Sequence, residues 1–331
     1  MAHDFTWVDG ERLIRFGFGA LDEAPALAQQ RGFAGYVLLS TERALAQAPA
    51  GLGEAAGAVL NVPPGPVPDA AAAVRVDVGG RPLVAFGGGR VIDAAKAIAG
   101  ADGLDCAAVP TTLSGAEMTR FHRMPAGVEG YALKRPTLVV ADPDAIGSAP
   151  AEELAASAMN ALAHALEALY GPLANPVATM AALRAAELIR SGLAPAEPRS
   201  EALALGSLLG AYAMDSAGFA IHHALCQTIV RTLGTPHAQT NAVVLPHCVR
   251  AMTARAPEPL AGFAAALGSD DAAGAVEGLA ARAGVTRLSE LGVERGDLDR
   301  IVTEARGHPA YANTPQAPDA SELMRLLEAA L

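Results

Sequence analysis

At 331 residues the chain is too long for one ordinary core, so two domains are the default. It is 51% hydrophobic, yet no apolar run reaches the ~20 residues of a membrane span, and a net charge of −11 with 4% aromatics excludes nucleic acid and anionic membrane surfaces as partners. Cys106, Cys226 and Cys248 lie far apart without a CxxC pair, which suits a reduced cytoplasmic protein, and the opening MAHDFTWVDGERL lacks the apolar stretch of a signal peptide.

The first 145 residues alternate β-like runs with helical segments. A helix over 21–31 precedes a buried strand, Gly35 to Leu39. Ala58 to Leu60 is a second strand, stopped by the loop Pro63 to Pro68, and 69–76 is a helix. Pro82 to Phe86 is a strand running into Gly87-Gly88-Gly89, with a helix over 91–99 behind it. Strands follow at 107–109 and 137–141, the last closed by Asp142-Pro143. Strands alternating with helices predict a parallel sheet with crossovers, an α/β domain over 1–146. From 147 to 331 the pattern is helical throughout, near 150–170, 176–192, 199–217, 221–232, 238–254, 271–283 and 319–330.

Three glycines between a strand and a helix let the backbone approach a pyrophosphate, which the amides opening the helix then bind. Gly87-Gly88-Gly89 reads equally as a plain turn, and Asp93 and Lys96 as a solvated i,i+3 pair. The segment Val109 to Thr119, VPTTLSGAEMT, is a strand end followed by hydroxyls and a glycine, where an open α/β sheet places ligand contacts. Two such loops in one domain predict nucleotide binding.

In the helix near 150–170, Asn160, His164 and Glu167 share one face among Ala, Leu and Met. A buried polar stripe is costly unless satisfied, so it faces a site or a polar network. The stretch Ile221 to His247 carries four of the eight histidines, and His223 and His237 stand fourteen residues apart. The break at Gly234-Thr235-Pro236 can fold the second back beside the first, making an imidazole pair able to hold a metal or polarise a carbonyl. On spacing alone a buried helix with incidental histidines fits as well. His222 and His223 diverge by about 100° on a helix, so only one can face the shared site.

Taken together, GGGRVIDAAKAIA, VPTTLSGAEMT, MNALAHALEALYGPLANP, IHHALCQTI and TPHAQTNAVVLPH resemble the iron-containing (group III) alcohol dehydrogenase family, and within it the maleylacetate reductase branch. The resemblance spans nearly the whole chain. It implies a dehydroquinate synthase-like architecture: an N-terminal Rossmann-like domain, an all-helical C-terminal domain, NAD(H) or NADP(H) in the cleft between them, and a homodimer. Gly87, Gly88 and Gly89 would face the cofactor pyrophosphate, with Asp93 on the helix behind them. Thr111, Thr112 and Ser114 would line the cofactor, with Ser40 and Thr41 near the adenosine ribose. The metal-binding members use an Asp and three histidines at positions that here hold Asn160, His164, His223 and His237.

Several positions depart from the family. Asn160 replaces the anionic ligand, and a neutral amide is a poorer partner for zinc or iron than a carboxylate, which disfavours metal. Gln227 replaces a histidine and cannot shuttle a proton near neutral pH. Val230-Arg231 replaces Gly-Gly, Arg90 replaces Ser, and Asn313 to Gln316 stands where the branch has NPRP. The expectation is therefore a metal-independent NAD(P)H reductase of maleylacetate type, acting on an oxo-acid or enone-type small molecule. In it His223, with His164 and His237, stabilises the developing oxyanion, His222 donates a proton, and Arg120, Arg123 and Arg231 are candidate clamps for a substrate carboxylate. Two other readings remain on this fold: a specialised biosynthetic enzyme with altered or non-reductive chemistry, motivated by Gln227 and Arg231, and a catalytically silent nucleotide-binding homodimer.

Overall fold

The computed structural model describes residues 4–331; residues 1–3 of the opening stretch lie outside them. The chain divides into two units, one ending at Ser148 and the other running from Ala149 to Leu331. The first unit holds β1 (Phe5–Asp9), β2 (Arg12–Phe16), α1 (Ala20–Gln30), β3 (Val37–Ser40), α2 (Glu42–Leu45), α3 (Ala50–Glu54) and β4 (Ala58–Asn61). These are followed by α4 (Val67–Val78), β5 (Leu83–Gly87), α5 (Gly89–Asp102), β6 (Cys106–Pro110), β7 (Leu138–Ala141) and α6 (Pro143–Ile146). All strands predicted from the sequence are present, within one or two residues at their ends.

One seven-stranded sheet runs in the order β1-β2-β7-β6-β5-β3-β4, parallel except for the β1–β2 hairpin. The parallel strands read as continuous apolar runs because both faces are covered: Val37, Leu39, Leu83 and Ala85 pack toward α4 and α5, Leu38, Val84, Phe86 and Val140 toward α1. From β5 the chain proceeds on one side to β6 and β7, while β3 and β4 lie on the other. The order therefore reverses between β3 and β5, and a doubly wound sheet opens its binding crevice at the carboxyl ends of such strands. Ser40-Thr41 and Gly87-Gly88-Gly89 stand at those two ends.

The second unit is helical, as predicted: α7 (Ala151–Ala168), α8 (Pro176–Leu193), α9 (Ser200–Ala217), α10 (Ile221–Leu233), α11 (His237–Met252), α12 (Pro257–Ala266), α13 (Ala272–Ala280), α14 (Leu298–Arg306) and α15 (Ala320–Ala330). Short 3-10 turns punctuate it, one over Pro309–Asn313. α7 is buried almost throughout, from Leu154 to Ala168, which explains its Ala-rich sequence: small side chains let α8, α9 and α11 approach closely. At Gly210 an added Cβ would lie 2.9 Å from the Ala161 carbonyl oxygen on α7, so only glycine allows the α7–α9 approach there. Among the described residues no single helix is long and apolar enough to cross a membrane.

Candidate active site

In the first unit the two predicted loops pack against each other. α5 opens at Gly89, and the Gly88 carbonyl accepts the N–H groups of Val91 and Ile92, so the amides before Val91 are not used by the helix. A Cβ at Gly88 would meet Thr112 Cγ2 at 3.2 Å, and one at Gly89 would meet Ser114 Cβ at 2.9 Å. The glycines are thus required by the close approach of the Thr111–Ser114 loop, and the bare backbone is the kind of cradle a pyrophosphate enters. Gly87 holds φ +155, where its Cβ would touch Val91 at 3.0 Å.

Other first-unit candidates have different work. Ser40 is fully buried and donates to the Phe86 carbonyl at 2.7 Å, tying β3 to β5, and Thr41 caps α2 by accepting from the Ala44 N–H. Both stand at the crevice, but their hydroxyls are committed to the fold. Asp93 and Lys96 are not a solvated pair. Lys96 is fully buried, and its Nζ donates to Asp93 Oδ1 (2.8 Å), the Ala116 carbonyl (3.0 Å) and Thr119 Oγ1 (3.3 Å). Asp93 therefore anchors a lysine that pins the VPTTLSGAEMT loop to α5. Behind it Glu117 is buried, and desolvation lifts its carboxyl to about 7. Arg120 lies over the Phe121 ring, and Arg123 is exposed.

The second unit gathers most of the predicted catalytic residues. Asn160, His164 and Glu167 are buried on α7 as one stripe. α10 begins at Ile221 after Ala220, which has no capping side chain, so its first amides need an acceptor from elsewhere. Glu167 is that acceptor: its Oε1 takes the N–H groups of His222 (2.7 Å) and His223 (3.2 Å), and a carboxylate suits the positive end of the helix dipole. Its Oε2 lies 2.5 Å from His223 Nδ1. His223 Nε2 has no protein partner, and neither does His164 Nδ1. The His164 and His223 rings lie nearly parallel, 4.9 Å apart, and Phe219 packs over His223 at 4.5 Å.

A break follows α10 at Gly234-Thr235-Pro236. Gly234 (φ 71) ends α10, Pro236 caps α11, and His237 is the first residue of α11, exposed but near enough for its charge to act on His223 and His164. His222 turns away. Its Nε2 faces the Asn241 carbonyl at 3.3 Å and Cys226 Sγ at 3.4 Å, inside the α10–α11 packing. Burial drives its pKa down to about 3, and with Nε2 committed inside that packing its ring does not face the site as the proton donor expected from its place beside His223. Cys226 is a buried thiol whose pKa burial raises well above normal, hence unreactive. Arg231 is also off the site: it is exposed and paired with Glu304 at 3.0 Å, not held as a carboxylate clamp.

Burial likewise lowers His223 to about 3, aided by His237 and His308, and lowers His164 well below its usual value, while it raises Glu167. A desolvated carboxyl and imidazole in contact favour a pair without net charge.

The donor set fits a divalent ion poorly. Among the described residues, the His, Cys, Asp or Glu trio with ligand atoms mutually within 4.8 Å is Glu167, His222 and His223, not His164, His223 and His237. Glu167 is spent on His223 Nδ1 and the α10 amides, the His222 ring faces Asn241 and Cys226, and Asn160 brings no charge, which leaves only the neutral nitrogens His223 Nε2 and His164 Nδ1 open.

Three residues escaped sequence reasoning as site residues. Glu167 was visible only as part of a polar stripe, and Phe219 gave no signal. His308, 81 residues from its partner Gln227, gave none either, the contact being Nε2 to Oε1 at 3.2 Å.

Comparison with known proteins gives the family. Residues 154–331 match the C-terminal domain of the Fe-containing alcohol dehydrogenase family. The chain is 38% identical over 261 residues to maleylacetate reductase 1 of Rhodococcus opacus, covering 75% of this chain and 72% of that one. An iron-containing alcohol dehydrogenase from Corynebacterium glutamicum superposes with a TM-score of 0.86 at 30% identity, over 100% of this chain and 97% of that one. Maleylacetate reductase from Agrobacterium tumefaciens gives 0.84 at 29% identity, over 100% and 99%. With that likeness spanning sequence and fold, the chain belongs to the iron-containing alcohol dehydrogenase family and is an NAD(P)-dependent oxidoreductase.

Proposed function

We propose that the protein is a metal-independent reductase of maleylacetate type, acting on an unsaturated oxo acid. The observation that carries this reading is the buried Glu167–His223 contact, with an uncharged Asn160 on the same helix α7: the site holds an acid–base pair, and Asn160 offers no charge to a metal. The similarity to maleylacetate reductases supports the substrate class. In the first unit Gly87, Gly88 and Gly89 would hold the dinucleotide, with Thr111, Thr112 and Ser114 beside them, a fit supported by the bare-backbone cradle.

A reduced nicotinamide held by those residues would supply the hydride, for an electron-poor carbon conjugated to a ketone. The chain's own residues then handle the proton. With two protons on the dyad, one lies between Glu167 Oε2 and His223 Nδ1 and the other is on His223 Nε2. As the substrate's electron pair moves onto its ketone oxygen, His223 gives the Nε2 proton to that oxygen. The remaining proton settles on Nδ1, so the imidazole ends neutral and Glu167 ends as a carboxylate. Its raised pKa helps keep the second proton on the dyad before the step. Phe219 and the apolar face of α7 keep water from the rings.

The test is oxidation of NADH and of NADPH by the purified protein with maleylacetate. Sustained turnover supports the reading. Tight nucleotide binding without turnover on any unsaturated oxo acid defeats it in favour of a specialised enzyme with altered chemistry, the reading that Gln227 in place of a histidine favours.

A further inference from the structure

We propose that His308 is a positioning residue that orients the Gln227 side-chain amide as a donor for a substrate carboxylate, which makes this pair a specificity determinant. The inference rests on the oxo-acid reading above and deepens it. His308 caps the 3-10 turn over Pro309–Asn313, and its Nδ1 accepts the Ala310 N–H at 3.1 Å. A ring nitrogen that accepts from an amide holds a lone pair, so the neutral ring carries its hydrogen on Nε2. That Nε2–H donates to Gln227 at 3.2 Å, so the side-chain atom facing it is the oxygen, Oε1.

The amide orientation follows from this contact. With Oε1 held by His308, Gln227 presents its nitrogen, with two donors and no acceptor, on the other side. Among the described residues that nitrogen makes no hydrogen bond to the protein. Gln227 is half-buried and stands four residues after His223, one turn along the same face of α10. His308 is also close enough to act on His223 electrostatically. A histidine at position 227 could either donate or accept, but the amide fixed this way only donates. It therefore selects a ligand oxygen that accepts, and a carboxylate does so most strongly. In this chain the imidazole stands on the 3-10 turn over Pro309–Asn313, where it aligns the amide that replaces it on α10.

The test compares the wild type with Gln227→Glu, His308→Ala and His308→Asn, each saturated with NADH. Two readouts are taken: kcat and KM for maleylacetate, and binding of adipate, a saturated dicarboxylate, by calorimetry. Gln227→Glu replaces the donor by a like charge and should lower kcat/KM by about 10–100-fold, the worth of a hydrogen bond to a charged group, with most of the loss in KM. His308→Ala should show a smaller loss of the same kind. His308→Asn, which can still cap Ala310 and donate an N–H, should recover part of it. Adipate affinity should fall in the same order. Unchanged KM and unchanged adipate binding in Gln227→Glu and His308→Ala overturn the proposal, as does a wild type that binds no adipate. If the wild type binds adipate with the expected order of variants but reduces no oxo acid, the function reading fails and the amide's role stands.

Discussion

Glu167→Gln isolates the proton-handling half of the account. The carboxylate is fully buried and accepts three hydrogens: the His222 and His223 amides at 2.7 and 3.2 Å, and His223 Nδ1 at 2.5 Å. Glutamine keeps the shape, and its oxygen can still cap α10. Its NH2 group then faces Nδ1, which must turn from donor to acceptor, so the imidazole hydrogen is fixed on Nε2. The ring can no longer be recharged by a neighbouring acid after giving that hydrogen away. The corresponding Asp-to-Asn change in a serine protease triad drops kcat by about 10⁴, and a loss of about 10³–10⁴ here corresponds to about 4–5.5 kcal/mol of barrier. Stability falls less, by about 1–3 kcal/mol, because one charge-assisted contact is lost while the cap survives. The assay is single-turnover oxidation of NADH by maleylacetate across pH, with thermal unfolding and NADH binding as controls. A folded, NADH-binding variant within about threefold of wild-type kcat would refute the dyad, since threefold is under 1 kcal/mol.

Three further outcomes follow from the same geometry. Burial holds His164, His222 and His223 below their ordinary range, His222 at about 3 against 6.5, so the unfolded chain binds protons that the native state excludes. Their contribution is present above about 6.5 and is lost as pH falls toward about 3, so the unfolding temperature should drop through that window; a flat profile contradicts the burial. Gly89→Ala places a Cβ 2.9 Å from Ser114 Cβ, an overpacking that should cost about 1–3 kcal/mol and weaken nucleotide binding measured by fluorescence titration. Unaltered affinity and unfolding temperature would mean the two loops separate freely. Arg231→Ala removes an exposed ion pair with Glu304, so KM for maleylacetate should be unaffected; a large rise in KM would return Arg231 to the site.

The sequence made the strands and most helices legible for local reasons: apolar runs bounded by Gly and Pro, and long 3.6-residue periodicity. It hid the β1–β2 hairpin although Asp9-Gly10 stands at its turn, because the hairpin's worth lies in adding β2 to β7, a pairing between residues more than 120 apart. α14 was missed because its short, charged sequence, LDRIVTEAR, buries only Leu298, Ile301, Val302 and Ala305. At the site, the stripe of Asn160, His164 and Glu167 was readable from spacing, and the break between α10 and α11 from Gly234-Thr235-Pro236. What spacing could not give is which group each polar atom meets. His222 and Arg231 were placed at the chemistry by proximity in sequence, yet one turns into α11 and the other pairs with α14. Glu167 was legible only as one member of that polar stripe, and its own role came with the uncapped amides of α10.

The most direct test of the central claim is maleylacetate-dependent NAD(P)H oxidation by protein stripped with a strong chelator, then repeated after adding zinc or iron. The Glu167–His223 account predicts full turnover in chelator, and no gain on adding either ion. Turnover that is absent in chelator and restored by metal would contradict it, and would make Asn160, His164 and His223 ligands in place of an acid–base site.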